Sequence, residues 1–215
     1  MEIPLYLLFA LALNVDSFSA GLTYGAKAIK VPPLSLFIIS LVSMASIAIS
    51  MAAGRLLAAN IPAPLAYRLG SALLLLIGFW ILFQTLWKKQ FKSRLSPEHP
   101  AAKSVEIRLR PFGLVIQILK EPARADFDSS GVISPREALI LGTALAMDAF
   151  VAGCAVSLLG FSMLFTALAV GLGHFLLACL GIGAGRSKRA SLLLERQFTA
   201  LPGCILILLG LLKIC

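Results

Sequence analysis

Ala12-Leu13-Asn14-Val15-Asp16-Ser17-Phe18-Ser19-Ala20-Gly21 can be laid over Ala144-Leu145-Ala146-Met147-Asp148-Ala149-Phe150-Val151-Ala152-Gly153 at an offset of 132, with six of ten positions identical. The same offset puts the Leu73–Gly78 run on Ile205–Gly210. An offset of 131 puts Gly54-Arg55 on Gly185-Arg186. Composition alone does not produce three separate matches at nearly one spacing. The chain therefore reads as two copies of one unit.

The chemistry of the unit is apolar. Of 215 residues, 59% are hydrophobic and 13% charged, where a soluble domain is nearer half and a quarter. Charge-free blocks run for 24 residues between Lys30 and Arg55, 19 between Arg68 and Lys88, and 16 from Gln197 to Leu212. The 24 residues between Glu2 and Lys27 carry only Asp16. The 48 between Glu137 and Arg186 carry only Asp148 and His174. A helix rises ~1.5 Å per residue and a bilayer core is ~30 Å thick, so the longest block suits two spans. The break falls at Leu159-Gly160-Phe161-Ser162. The expected spans are 4–26, 33–54, 67–87, 136–159, 162–185 and 198–214. The fold class is an all-α membrane protein, six transmembrane helices as two inverted three-helix repeats. The expected divisions are a first repeat over 1–87, a basic linker over 88–125, a loop over 126–137 and a second repeat over 138–215. An odd number of spans per unit makes the second copy enter the membrane from the opposite side, an arrangement used for alternating access around a midplane site.

The net charge of +9 is explained by orientation and anionic lipid, not by nucleic acid. With the N-terminus outside, 16 of 19 Lys and Arg fall on one side, ten of them between Lys88 and Arg136. The positive-inside rule then places both termini outside and the central loop in the cytoplasm. Lys88–Lys103, with Pro97 and Pro100, reads as a flexible linker, and Val105, Ile107 and Leu109 alternate as in a short strand. The first span is too long, and its acid too central, for a cleaved signal peptide. Cys154, Cys179, Cys204 and Cys215 show no metal-ligand spacing.

Asp16 and Asp148 are the only acids deep within spans. An Asp at the centre of a membrane helix costs ~2.5–3.5 kcal/mol on insertion scales, so it faces a bundle interior and finds a partner. Alanines at i−4 and i+4 of both acids form small-residue stripes that let a second helix approach. Two facing carboxylates repel unless they share a proton or hold a cation. Hard divalent ions such as Mn²⁺, Mg²⁺ and Ca²⁺ suit carboxylate, carbonyl and hydroxyl oxygen. Asn14 and Ser17 offer further oxygens, although on an ideal helix Asn14 points away from Asp16. A protonated pair that only joins two helices is the alternative. The Gly-x-Gly-Asp segment of intramembrane aspartyl proteases is absent, since the acids follow Val15 and Met147; the chain is not read as an enzyme, and no cofactor is expected. His174, in the fifth span, is either a ligand, a proton carrier or a hydrogen-bonding link between helices.

Asp126 to Glu137 matches the twelve-residue calcium loop, with Asp126, Asp128, Ser130, the Val132 carbonyl and Glu137 at ligand positions and Gly131 at the sharp turn. Three carboxylates imply modest affinity for Ca²⁺ or Mn²⁺. The same residues fit a capping box that starts the fourth span, with Ser134 at N-cap, Pro135 at N1 and Glu137 at N3.

The paired Ala-Leu-x-x-Asp-x-Phe segments, the three-plus-three layout and the Gly-Arg helix ends resemble the manganese exporters of the MntP type. The Asp-x-Asp-x-Ser-Gly-x-Ile-Ser-x-x-Glu-Ala loop, the preceding Val115–Pro122 and the long linker resemble their YtaF-type sporulation relatives. The resemblance implies a multi-pass protein of the bacterial cell membrane in which Asp16 and Asp148 bind or pass Mn²⁺ outward, with the bilayer and the ion as partners. A homo-oligomer is left open. The exporters carry a further acid in the second span, where this chain has Ser43, Ser46 and Ser50. That departure keeps a second reading in view, a non-transporting sporulation membrane protein with a metal-responsive cytoplasmic loop.

Overall fold

A computed structural model describes residues 3–94, 125–128, 130–187 and 201–214. Among the described residues six helices follow one another: α1 (Ile3–Ala26), α2 (Pro33–Ala58), α3 (Ala63–Arg94), α4 (Pro135–Leu158), α5 (Met163–Gly185) and α6 (Leu201–Ile214). The first five are long and apolar enough to cross a membrane, and α6 is a shorter apolar helix. No strand occurs among the described residues, where the one extended pairing is an isolated bridge between Lys30 and Val132. α3 runs on to Arg94, into the segment read as linker. The expected strand over 105–109 lies outside the described residues.

Helix ends follow local sequence. α2 starts on Pro33 behind Pro32, where a missing N–H costs nothing. α4 starts on the expected capping box, with Ser134 Oγ accepting from the Glu137 amide and the Glu137 side chain returning to the Ser134 amide. The turn between α4 and α5 falls at the expected break, and Gly160 supplies its left-handed residue at φ 76°.

The extensive contacts link the helices in a closed circuit, α2 to α5, α5 to α1, α1 to α6, α6 to α3, α3 to α4 and α4 back to α2, while α1 and α4 touch only slightly across the middle. Every one of these contacts joins one of the first three helices to one of the last three. Glycines make the approaches close. A Cβ on Gly21 would lie 2.5 Å from the Ala178 carbonyl, and Gly25 and Gly185 meet backbone to backbone. On α2 and α4, Gly153 sits against Ile47 and Ser50, and Gly54 against Ser157. On α3 and α6, Gly78 faces Gly203, and Gly210 faces Ser71. Leu7, Phe37, Ile49, Phe79, Trp80, Leu164 and Leu172 stand exposed on the outside of the circuit, as a lipid-facing surface requires.

The two ends of the bundle are tied differently. At one end the Ser162 amide donates to the Tyr6 hydroxyl at 3.0 Å and Tyr6 packs edge-on to Phe161. At the other end the loop of residues 130–134 pairs with the α1–α2 turn. The Lys30 amide donates to the Gly131 carbonyl at 2.8 Å, the Ile133 amide to the Lys30 carbonyl at 2.9 Å, and Ser35 Oγ to the Ile133 carbonyl at 2.7 Å.

Candidate metal centre

The polar groups around the candidate centre come from α1, α2, α4 and α5. On α1, Asn14, Asp16 and Ser17 occupy one turn. Asn14 and Ser17 are buried, at 1% exposure each, and Asp16 is half-buried. Asp148 on α4 is exposed, although Ala144 and Ala152, one turn to either side, are buried. The Asp16 and Asp148 carboxyl groups are close enough for their charges to interact. Ser17 Oγ lies 3.4 Å from Asp16 Oδ1, and Asp148 Oδ1 accepts from the Ala149 amide at 2.7 Å. Two acids that the repeat puts in register thus come within each other's field across the slight contact of α1 with α4.

His174 is buried beside them. Its Nδ1 lies 2.9 Å from Ser17 Oγ and 3.0 Å from Ser43 Oγ, and its Nε2 lies 3.2 Å from Ser17 Oγ. The side chain therefore ties α5 to α1 and α2. Asn14 Nδ2 donates to the Ala10 carbonyl at 2.8 Å, which fixes the amide, and its buried Oδ1 has no hydrogen-bond partner among the described residues. Further along α2, Ser46 Oγ donates to the Ala146 carbonyl at 3.2 Å and Ser50 Oγ to the Phe150 carbonyl. These serines face α4 on the span where the exporters carry an acid.

The sequence did not single out Ser43 as a site residue. Its signal was present: an offset of 131 places Ser43 on His174, and the two touch.

A second group lies in the loop before α4. Asp126, Asp128 and Glu137 each bring a carboxylate oxygen within 4.8 Å of the others. Asp126 accepts from the amides of Ser130 at 3.0 Å and Gly131 at 2.9 Å, and Asp128 from the Ser130 amide at 3.0 Å. Ser130 Oγ donates to the Val132 carbonyl at 3.0 Å. Glu137 is used twice, accepting from the Phe127 amide through Oε1 at 2.8 Å and from Ser134 through Oε2 at 2.8 Å. Hydrogen bonding from the Ser130 side chain and amide holds the Asp128 carboxyl below the usual aspartate range. The capping and loop readings thus coexist in one arrangement, and Gly131 takes its sharp turn at φ 75°. The donor set is all oxygen, which suits a hard divalent ion. The segment leading into the loop, 112–120, lies outside the described residues.

Apolar helices of spanning length around a buried polar centre define a multi-pass membrane protein. A family described as "Mntp: Putative manganese efflux pump" matches residues 112–214. The chain is 37% identical to "Probable sporulation protein YtaF" of Bacillus subtilis over 214 residues, which is 100% of both chains. It is also 38% identical over 80 residues to "Putative manganese efflux pump MntP" of Methanothermobacter thermautotrophicus, covering 37% of this chain and 42% of the relative. A protein of the same name from Methanoregula boonei is 38% identical over 73 residues, covering 34% of this chain and 38% of the relative. No solved structure matches. The chain therefore belongs to the same family as the YtaF-type protein, and its residues 112–214 match the manganese efflux pump family.

Proposed function

We propose that this protein is a divalent-cation transporter that exports Mn²⁺, with Asp16 and Asp148 as the midplane ligands. The observation that carries the reading is that two acids at equivalent positions of a sequence repeat lie on two apolar helices of spanning length that touch across the bundle. A cation between them removes the repulsion that otherwise makes one of them hold a proton.

The two halves are read as an inverted repeat. In support, the close contacts transpose under the sequence offsets. Gly21 against Ala178 becomes Gly153 against Ile47, Gly25 against Gly185 becomes Ser157 against Gly54, and Gly78 against Gly203 becomes Gly210 against Ser71. Ser43 against His174 maps onto itself, as a pair on the relating axis must. Such a bundle supports alternating access by rocking one half against the other. With the α1–α2 turn and the 126–137 loop at one end, and 16 of 19 basic residues assigned to one side, that end is placed in the cytoplasm and both termini outside. Release of the ion outward and return of the empty pair as a protonated one gives exchange for protons. The loop of Asp126, Asp128, Ser130, Val132 and Glu137, at the foot of the helix that carries Asp148, gathers or senses the ion.

The test is metal sensitivity in a bacterium lacking its manganese exporter. Wild type should lower cell-associated Mn in high Mn²⁺, and Asp16→Asn and Asp148→Asn should not. Wild type without effect at normal expression would remove the export reading. The full-length likeness to a protein named for sporulation favours one alternative, a non-transporting membrane protein of spore formation. In that case Asp16→Asn would be tolerated, and loss of the loop carboxylates would disturb sporulation.

A further inference from the structure

The cluster of His174, Ser17, Ser43 and Asn14 has more polar capacity than its hydrogen bonds use. Two hydroxyls crowd His174 Nδ1, at 2.9 Å and 3.0 Å. Nε2 has only the same Ser17 oxygen, at 3.2 Å. One hydroxyl cannot align with both ring nitrogens, because hydrogen bonds weaken steeply away from linearity. Nε2 is therefore poorly served at 3% exposure. Asn14 Oδ1, at 1% exposure, has no partner among the described residues. An unmet buried acceptor costs about 1–3 kcal/mol, so Asn14 Oδ1 calls for a group to bind, and His174 Nε2 on the facing helix has capacity to bind one too. Asn14 lies one turn before Ser17 on α1. It packs against Gly173, next to His174, where a Cβ would fall 2.5 Å from its Nδ2. A void of about 10 Å³, lined in part by Ser17 and His174, lies alongside, room for about one water-sized species. Ser17 Oγ also reaches Asp16 Oδ1 at 3.4 Å, so the cluster is continuous with the carboxylate pair.

We propose that Asn14, Ser17 and His174 form a second coordination station beside Asp16, and that His174 makes the path prefer first-row transition ions over Mg²⁺ and Ca²⁺. This rests on the reading of Asp16 and Asp148 as the cation's path. An all-oxygen site suits Mg²⁺ and Ca²⁺ as well as Mn²⁺, whereas an imidazole nitrogen shifts preference toward transition ions. Ser43 holds the ring through Nδ1 and leaves Nε2 for the metal, as second-shell partners of ligating histidines do.

Mn²⁺ added to the purified full-length protein provides the probe, with the competing loop silenced throughout by Asp126→Asn and Asp128→Asn. Electron spin echo spectra of the bound ion should carry imidazole nitrogen modulation in wild type, and His174→Gln should lose it. In the same variant Mn²⁺ affinity should fall at least about 10- to 100-fold, the range seen for losing a partner of a metal ligand, with Mg²⁺ affinity changed far less. Bound Mn²⁺ without nitrogen modulation in wild type would overturn the proposal and leave the paired carboxylates standing. So would modulation that survives His174→Gln. Binding and export that survive Asp16→Asn would instead remove the carboxylate reading, whatever His174 does. A wild type that binds no Mn²⁺ would overturn both. The spectrum of wild type decides the point even if the variant folds poorly.

Discussion

Gly21→Ala adds one methyl group where α1 meets α5. The new Cβ would lie 2.5 Å from the Ala178 carbonyl oxygen, 3.1 Å from the Ile182 amide and 3.2 Å from the Gly181 Cα, all backbone, and ordinary contact begins at 3.4 Å. Backbone in a helix cannot swing aside, so the helices must part by the difference, about 0.9 Å at this point. Overpacking of this kind costs about 1–3 kcal/mol. A gap of 0.5–1 Å along the rest of the seam forfeits a quarter to a half of its dispersion contacts. Ser17 lies one turn away on the same face, and its 2.9 Å contact with His174 would open to about 3.8 Å, beyond hydrogen-bonding distance. Gly183→Ala is the control, since a Cβ there meets nothing within 4 Å, and it should stay within about 0.5 kcal/mol of wild type. Denaturant unfolding of both proteins in detergent micelles makes the comparison. Equal midpoints for Gly21→Ala and Gly183→Ala would show that the close approach of α1 and α5 does not hold the bundle.

Ser134→Ala removes the cap of α4 and one partner of Glu137; it should lower stability by about 0.5–2 kcal/mol, read from the same unfolding curves. Gly131→Ala meets no atom within 4 Å but keeps φ 75°. Its cost should be conformational, about 1–2 kcal/mol, and confined to the loop, visible as faster amide exchange at residues 130–133. The depressed folded-state pKa of Asp128 means that its contribution is present above the ordinary aspartate range and lost only as pH falls through the lower folded value. Metal binding by the loop should therefore persist below the usual range, and Ser130→Ala should move its loss to higher pH in a binding titration. In a cysteine-free background, Asn60→Cys should react with an impermeant thiol reagent in intact cells and Lys30→Cys only after lysis; the reverse pattern would invert the orientation.

Much of the fold was legible because the bilayer sets lengths and local chemistry sets ends. Charge-free blocks located five helices of spanning length and the shorter α6, although α3 runs on past 87 to Arg94, and Ser134-Pro135-Arg136-Glu137 marked the start of α4. The Asp126–Glu137 pattern fixed which oxygens would gather, because its ligands are local in sequence. The polar centre was harder. His174, Ser17 and Ser43 come from three helices, and no spacing within one helix says which helix faces it. The repeat held part of the answer, since Ser43 and His174 are equivalent positions and equivalent positions meet only on the axis that relates them.

The alanine stripes beside Asp16 and Asp148 suggested that another helix would approach each of the helices carrying an acid. The close approaches are of α5 on α1 and of α2 on α4, through Gly21, Gly25, Gly153 and Gly54. α1 and α4 are left with only slight contact. That arrangement separates two tasks. Close glycine approaches and uncharged serines bind the halves, so these seams do not depend on the charge state of the acids. On the proposed reading, a cation held by the acids of α1 and α4 enters and leaves without breaking a glycine seam. A protonated pair whose only role was to join helices would sit in a tight crossing, because its hydrogen bond would need it. The slight contact of α1 with α4 therefore favours a site over a clamp.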